Sequence, residues 1–235
     1  MSASPAGPDA RHRTRAEFLR GVKLGTPVLL GYIPIAIAFG VLARTAGLSI
    51  FQTIACSMLV FAGSGQFIAI AMIGVGASAP SILITTAVLN LRHILFGATL
   101  QPYLRHVPLW EQAVLAAGVT DESFAVNVTD LRGGSRSAAS VMGVEFVSWS
   151  GWQIGTIIGA VATGLVGDPS RLGLGFAMAA MFTALLVATA EDRRHVIVAA
   201  IACCLAVAFM LVLPSQWSIV ATAVVAAAIG AVVFE

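Results

Sequence analysis

Residues 45–91 read TAGLSIFQTIACSMLVFAGSGQFIAIAMIGVGASAPSILITTAVLNL, and none of them is charged. Arg44 and Arg92 bracket the stretch. A helix needs about 20 apolar residues to cross a hydrocarbon layer of about 30 Å. The stretch therefore predicts a span over about Ile50–Ile73 and the start of another over about Ser81–Tyr103. Gly74-Val75-Gly76-Ala77-Ser78-Ala79-Pro80 between them reads as a turn.

The rest of the chain has the same character. Of 235 residues, 58% are hydrophobic and 10% charged, and the mean hydropathy is +0.94. A soluble domain carries about 25% charged residues. Thirteen basic and eleven acidic side chains cannot cover a globule of this length, which excludes a soluble enzyme. Disorder is excluded because it requires low hydrophobicity. The fold class is all-α, a polytopic helical membrane protein with about 7–8 transmembrane segments, some of them broken helices.

The charges set an orientation. Arg11, Arg13, Arg15, Arg20 and Lys23 outnumber Asp9 and Glu17 ahead of a first span over Leu24–Ala43. Such a leader predicts a cytoplasmic N-terminus. The span is too long for the apolar region of a signal peptide, about 7–15 residues. Residues 1–23 are then a basic cytoplasmic tail, disordered over 1–15, and 24–235 form one integral membrane domain.

Further spans are expected over about Ala138–Val166, Leu172–Ala190, Val196–Leu213 and Ile219–Phe234. The segment Leu109–Leu131 carries Glu111, Asp121, Glu122 and Asp130, which are costly in hydrocarbon. It is either a span facing protein and water or a pair of half-helices dipping in and out. As a crossing it gives eight spans, with nine Lys/Arg on the N-terminal side against three opposite, and this count is preferred. Residues 39–47 and 154–164, each followed by an apolar run, suggest a weak internal repeat. A net charge of +2 points to no nucleic acid. Cys56, Cys203 and Cys204 lie in apolar runs without ligand spacing, so no metal and no cofactor is expected.

Four constellations stand out. In Phe61-Ala62-Gly63-Ser64-Gly65-Gln66-Phe67, two glycines around a serine disfavour a continuous helix. An unwound helix there would offer N–H and C=O groups to a zwitterion, while small-residue packing is the competing reading. Asn90-Leu91-Arg92-His93 places an arginine at membrane depth, where it needs a partner or water. Asn90 and His93 share a helix face. In Thr120-Asp121-Glu122-Ser123, adjacent acids cannot share a face, so one can pair with Arg92 while the other carries a proton. Thr120 also suits the cap of a half-helix whose first turn is acidic. Glu145, Ser148 and Trp152 share a face, with Trp149 and Gln153 beside it, and read better as an interfacial belt than as a pathway. Trp110 and Trp217 are further belt candidates.

Together these blocks resemble the AzlC-type branched-chain amino acid transporters, the azaleucine-resistance family. The matching residues are Gly40 with Ala46-Gly47-Leu48-Ser49, then Ser57 to Phe67, Asn90 to His93, and Thr120-Asp121-Glu122-Ser123-Phe124. Their order and separation match over nearly the whole chain after the leader. The resemblance implies a non-enzymatic secondary transporter exporting leucine, isoleucine and valine across the bacterial inner membrane. It also implies proton coupling and a small AzlD-type membrane subunit as partner; a higher oligomer is among the expectations. On the physical reading, Gly63, Ser64, Gly65, Gln66, Asn90 and Arg92 bind substrate, and His93, Asp121 and Glu122 couple protons. The alternatives are a channel and a non-transporting scaffold. A channel would repeat polar residues along several spans, whereas here they gather in a few blocks.

Overall fold

The computed structural model describes residues 8–165 and 192–213, with isolated positions between 176 and 232. The described elements are helices and short 3-10 turns. In chain order they are α1 (Pro8–Thr45), α2 (Ile50–Leu59), α3 (Gly63–Gly74), α4 (Ala79–Asn90) and α5 (Arg92–Leu100). Then follow α6 (Leu109–Gly118), α7 (Asp121–Arg132), α8 (Ala138–Ala162) and α9 (Arg193–Val212). The expected spans over 172–190 and 219–234 lie outside the described residues apart from isolated positions, as does Trp217.

Helix α1 begins at Pro8, so residues 8–15, expected to be disordered, are its opening turns. Pro27 and Pro34 sit inside it without ending it. A membrane helix tolerates proline where neighbours satisfy the freed carbonyls. At the far end Gly47 takes φ +98°, which turns the chain into α2. Ser49 and Gln52 form a capping box at the start of α2. Asp192 caps α9 by accepting the Arg194 and His195 backbone N–H groups. Those bonds, the His195 one foremost, hold its carboxyl below the usual range.

The centre is a parallel pair, α1 against α8, whose backbones touch through glycine. A Cβ on Gly21 would fall 2.0 Å from the Ser140 carbonyl oxygen, and one on Gly143 would fall 2.2 Å from that of Phe18. Farther along, Gly151 lies on Leu29, Gly155 on Ile33 and Gly159 on Ile37. Residue numbers rise together along both helices, so the two run in the same direction. Gly151, Gly155 and Gly159 are the small-xxx-small spacing that lets membrane helices approach this closely. Tyr32, Phe39 and Trp152 are buried beside this seam, with Phe67 against them.

Two helical hairpins insert from opposite ends of that pair. The chain leaves α1 at Thr45, enters α2, and turns at Val60–Ala62 close to Tyr32 and Trp152. It then returns along α1, with Phe67 on Phe39 and Gly74 beside Ala46. Both ends of α2–α3 thus lie at the C-terminal end of α1. The expected single span over Ile50–Ile73 is corrected to two half-helices folded back on each other. The helix opens at Val60–Ala62, whereas Gly63 to Gln66, expected to be unwound, form the first turn of α3, with Trp152 in the room left at Gly63.

The second hairpin mirrors the first. Helix α6 starts beside the Arg13–Phe18 turn of α1 and rises until Gly118 meets Glu145 of α8. Helix α7 descends from Thr120, beside Tyr32, to Asp130, which binds Arg20. Both ends of α6–α7 therefore lie at the N-terminal end of α1. Of the two sequence readings for Leu109–Leu131, the dipping pair of half-helices fits and the single crossing does not.

Between the hairpins, α4–α5 runs from one end to the other. Asn90 packs on Gly65 at the mid-level, and Leu100 and Leu104 join Leu115, Leu131 and Val141 at the N-terminal end. The helix kinks at Leu91. The His93 ring nitrogen Nδ1 donates to the Asn90 carbonyl at 3.0 Å, taking a place in the backbone ladder. Arg20 clamps the N-terminal end. Its guanidinium binds both Asp130 carboxyl oxygens at 2.7 and 2.9 Å and the Ser135 hydroxyl at 2.7 Å.

Large apolar side chains face outward. Phe51, Leu59, Leu83, Leu95, Leu109 and Leu211 are more than half exposed. His12–Thr45, Ala79–Tyr103 and Arg193–Val212 are each long and apolar enough to cross a membrane.

Candidate functional site

The tips of the two hairpins meet the α4–α5 kink halfway along the α1–α8 pair. One pocket forms there. It is lined by Tyr32 of α1, Phe61 to Ser64 of the first tip, Arg92 and His93 at the kink, Thr120 to Glu122 of the second tip, and Trp152 of α8. Its free volume is about 10 Å³, the room of a single water.

Each tip presents a helix N-terminus. The first N–H groups of α3 have no capping side chain. Helix α7 is capped by Thr120, which forms a reciprocal box with Ser123. The Thr-Asp-Glu sequence is thus both a cap and the mark of a broken helix. Partial positive charge at these N-termini favours the acids in the first turn of α7.

The charges are arranged across the tips. Arg92 pairs with Asp121 at 2.9 Å and also donates to the Ser64 hydroxyl. One guanidinium therefore ties both hairpins to the kinked helix. Glu122 points the other way, as expected of adjacent acids. It accepts from the Tyr32 phenol, which also donates to Thr120 Oγ1 at 2.7 Å, the two acceptors sharing one proton. The second Glu122 oxygen is buried without a partner. His93 donates through Nδ1, so its Nε2 is the nitrogen available to the pocket.

Of the nine residues singled out in the sequence, Gly63, Ser64, Arg92, His93, Asp121 and Glu122 meet in this pocket. Gly65, Gln66 and Asn90 lie behind it. Gly65 is bare because the Asn90 amide sits 3.0 Å from where its Cβ would be. Gln66 is fully buried, with Cys56 beside its amide.

The sequence reading missed Tyr32 as a pocket residue, singled out Phe61, Ala62 and Thr120 only as parts of their motifs, and misplaced Trp152. Tyr32 had a signal, because a lone phenol inside an apolar span needs a polar partner. Trp152 is 1% exposed and touches Tyr32, Phe39 and Phe67, so it is core rather than interfacial belt. Glu145, Ser148 and Gln153 are buried with it. Trp110 is 67% exposed, as a belt residue is. Among the described residues no group of His, Cys, Asp and Glu is placed to hold a metal ion.

Comparison with known proteins adds a family. The family model described as AzlC protein matches residues 27–166, which contain α1 from Pro27 onward, α2 to α8 and every residue of the pocket. The inner membrane protein YgaZ of Escherichia coli K12 is 34% identical over 191 residues, covering 79% of this chain and 78% of that protein. An uncharacterized membrane protein of Archaeoglobus fulgidus is 34% identical over 210 residues, 88% of this chain and 91% of its own. The branched-chain amino acid transport protein AzlC of Bacillus subtilis 168 is 26% identical over 188 residues, 79% of this chain and 73% of that one. No solved structure matches the chain. With the whole pocket inside the matched segment and relatives aligned over most of their length, this chain is a membrane protein belonging to the AzlC family.

Proposed function

We propose that the protein is a secondary transporter that exports branched-chain amino acids across the bacterial inner membrane. In this reading it is driven by protons and works as the large subunit beside a small AzlD-type membrane protein. The observation that carries the reading is the pocket where two hairpin tips meet. Helix N-termini at mid-membrane with a few convergent charges are how many transporters hold small zwitterions. The free N–H groups of α3 and the Arg92 guanidinium suit a carboxylate. Asp121 and Glu122 suit an ammonium. Phe61, Tyr32 and Trp152 give the aliphatic side chain an apolar wall. The pocket as it stands has no room for leucine, so it is the closed stage of the cycle, and a tip must withdraw to admit substrate.

The hairpins also change the membrane count. In this reading α1, α4–α5 and α8 cross, α2–α3 dips from outside, and α6–α7 dips from inside. Helix α8 has 25 residues, about 37 Å of helix, enough to span. Crossings by 172–190, α9 and 219–234 would bring the total to six. Two re-entrant segments preserve the orientation of everything downstream. The leader's five basic residues then share the inside with Arg105, Arg132, Arg136, Arg193 and Arg194, while only Arg44 and Arg171 lie outside. Ten against two is a stronger bias than the nine against three of the eight-span arrangement.

Single cysteines decide between these arrangements in a background without Cys56, Cys203 and Cys204. An impermeant maleimide is expected to label Ser78→Cys from outside and Arg105→Cys only after permeabilisation. The eight-span arrangement requires the reverse. The function itself is tested by leucine, isoleucine and valine efflux from cells stripped of their own exporters. Expression of the protein with its small partner is expected to restore efflux, and cells that retain all three amino acids refute the proposal.

A further inference from the structure

We propose that Glu145 is a proton-binding site that sets the position of the α6–α7 tip. The inference gives the transport reading its coupling residue, and rests on that reading only for this role.

Glu145 is 4% exposed, in the body of α8, and its Oε1 has no hydrogen-bond partner among the described residues. Its carboxyl lies flat on the end of α6. A Cβ on Gly118 would fall 2.8 Å from Oε2 and 3.2 Å from Cδ. Gly118 is the last residue of α6, and Val119 continues in extended conformation. The last carbonyls of a helix lack intrahelical partners and carry its partial negative charge. A protonated carboxyl can donate to such carbonyls. A carboxylate would face them with like charge.

Among the described residues, the surrounding elements bring no cation to offset that charge. Glu145 is the one charged residue of α8, and it makes no ion pair among the described residues. Helix α6 carries only Glu111, seven residues from Gly118. On α7, Asp121 is held by Arg92, Glu122 by Tyr32 and Asp130 by Arg20, and Arg132 is exposed in the last turn, at the opposite end from the tip. On α1, His12, Arg13, Arg15 and Glu17 lie below this level, Lys23 is exposed, and Arg44 is at the far end. An unpaired carboxylate in such surroundings is costly, and neutralisation or movement relieves it. Loss of the proton therefore drives the tip off α8. The tip carries Thr120, Asp121 and Glu122, so the same motion opens the pocket. His93, Asp121 and Glu122 have local partners, which leaves Glu145 as the residue whose charge the fold cannot hold in place.

The test reads the tip itself. Val119→Cys, buried at 2% exposure in the native chain, is placed in the background without Cys56, Cys203 and Cys204. Its N-ethylmaleimide rate is measured in proteoliposomes from acid to alkaline pH, with Glu145 intact and with Glu145→Gln. Thiolate formation raises both rates alike, so the readout is their ratio. The expected ratio is near one in acid and rises about tenfold in alkali, because the neutral amide keeps the tip closed. A ratio that stays at one overturns the proposal. Glu145→Asp checks the result without the Gln variant: its rate profile is expected to keep a pH step with a displaced midpoint, and an unmoved midpoint overturns the proposal as well. Neither measurement involves an amino acid substrate. Failure of leucine counterflow by the wild-type protein would sink the transport reading and leave this test standing.

Discussion

Valine in place of Gly155 or Gly159 is expected to prevent the protein from accumulating in a folded form. The new Cβ would stand 2.4 Å from the Ile33 carbonyl oxygen at position 155 and 2.2 Å from that of Ile37 at position 159. Both obstacles are backbone, which cannot swing aside as a side chain can. The helices must separate by about an ångström or more, and the α1–α8 seam is the frame on which both hairpins rest. Overpacking a core costs about 1–3 kcal/mol even where side chains can adjust. A rigid helix pair that loses contact along its length should exceed that range. The control is Gly31→Ala or Gly97→Ala, where nothing lies within 4 Å of the new carbon. Alanine there is expected to be neutral or to stabilise by up to about 1 kcal/mol through helix propensity. Thermal stability and monodispersity of the purified variants measure the difference. Wild-type melting of Gly159→Val would mean that α1 and α8 do not pack as described.

The same seam shows where sequence reading stops. The residues that build the site could be found because each violates a local rule. Gly63-Ser64-Gly65 sits just after the break in an apolar helix, Arg92 is a charge with no loop to occupy, and Thr120-Asp121 is a cap where no helix end was due. The pairing of Arg92 with one of two adjacent acids followed from helix periodicity. The path of the chain was hidden because hydropathy has no direction. An apolar run of 24 residues reads the same whether it crosses a membrane or enters and returns. The turn at Val60–Ala62 is apolar too, since it is buried against Tyr32 and Trp152 rather than exposed to water. Positive-inside counting is blind to such hairpins for a related reason. Two hairpins cancel in the downstream orientation, so treating both as crossings still leaves a plausible count, although the dipping reading of Leu109–Leu131 is open in the sequence. Trp152 and Glu145 were misjudged because a helical face says which residues are neighbours, not whether the neighbour outside is lipid or protein.

Removing either member of the Arg92–Asp121 pair is expected to cost both stability and transport, and removing both together is expected to restore only the first. The two charges lie 2.9 Å apart with side chains 27% and 18% exposed. Breaking such a part-buried pair removes an opposite charge from a poorly solvated place, a loss below that of a fully buried pair, about 3–5 kcal/mol. Arg92→Gln leaves Asp121 and Glu122 side by side without a cation. Asp121→Asn leaves the guanidinium held by the Ser64 hydroxyl. The double variant Arg92→Gln/Asp121→Asn has neither stranded charge, and glutamine and asparagine can still hydrogen-bond across the gap. Its melting temperature should recover most of the loss, with a coupling energy of about 0.5–3 kcal/mol over the cycle. Leucine efflux should stay at background in all three variants, because a zwitterion needs a fixed charge for each of its own. This split separates a structural strut from a transport site. A strut would allow the stable double variant to transport, so wild-type efflux from it would reduce the pair to scaffolding and shift the binding role to the α3 and α7 N-termini alone.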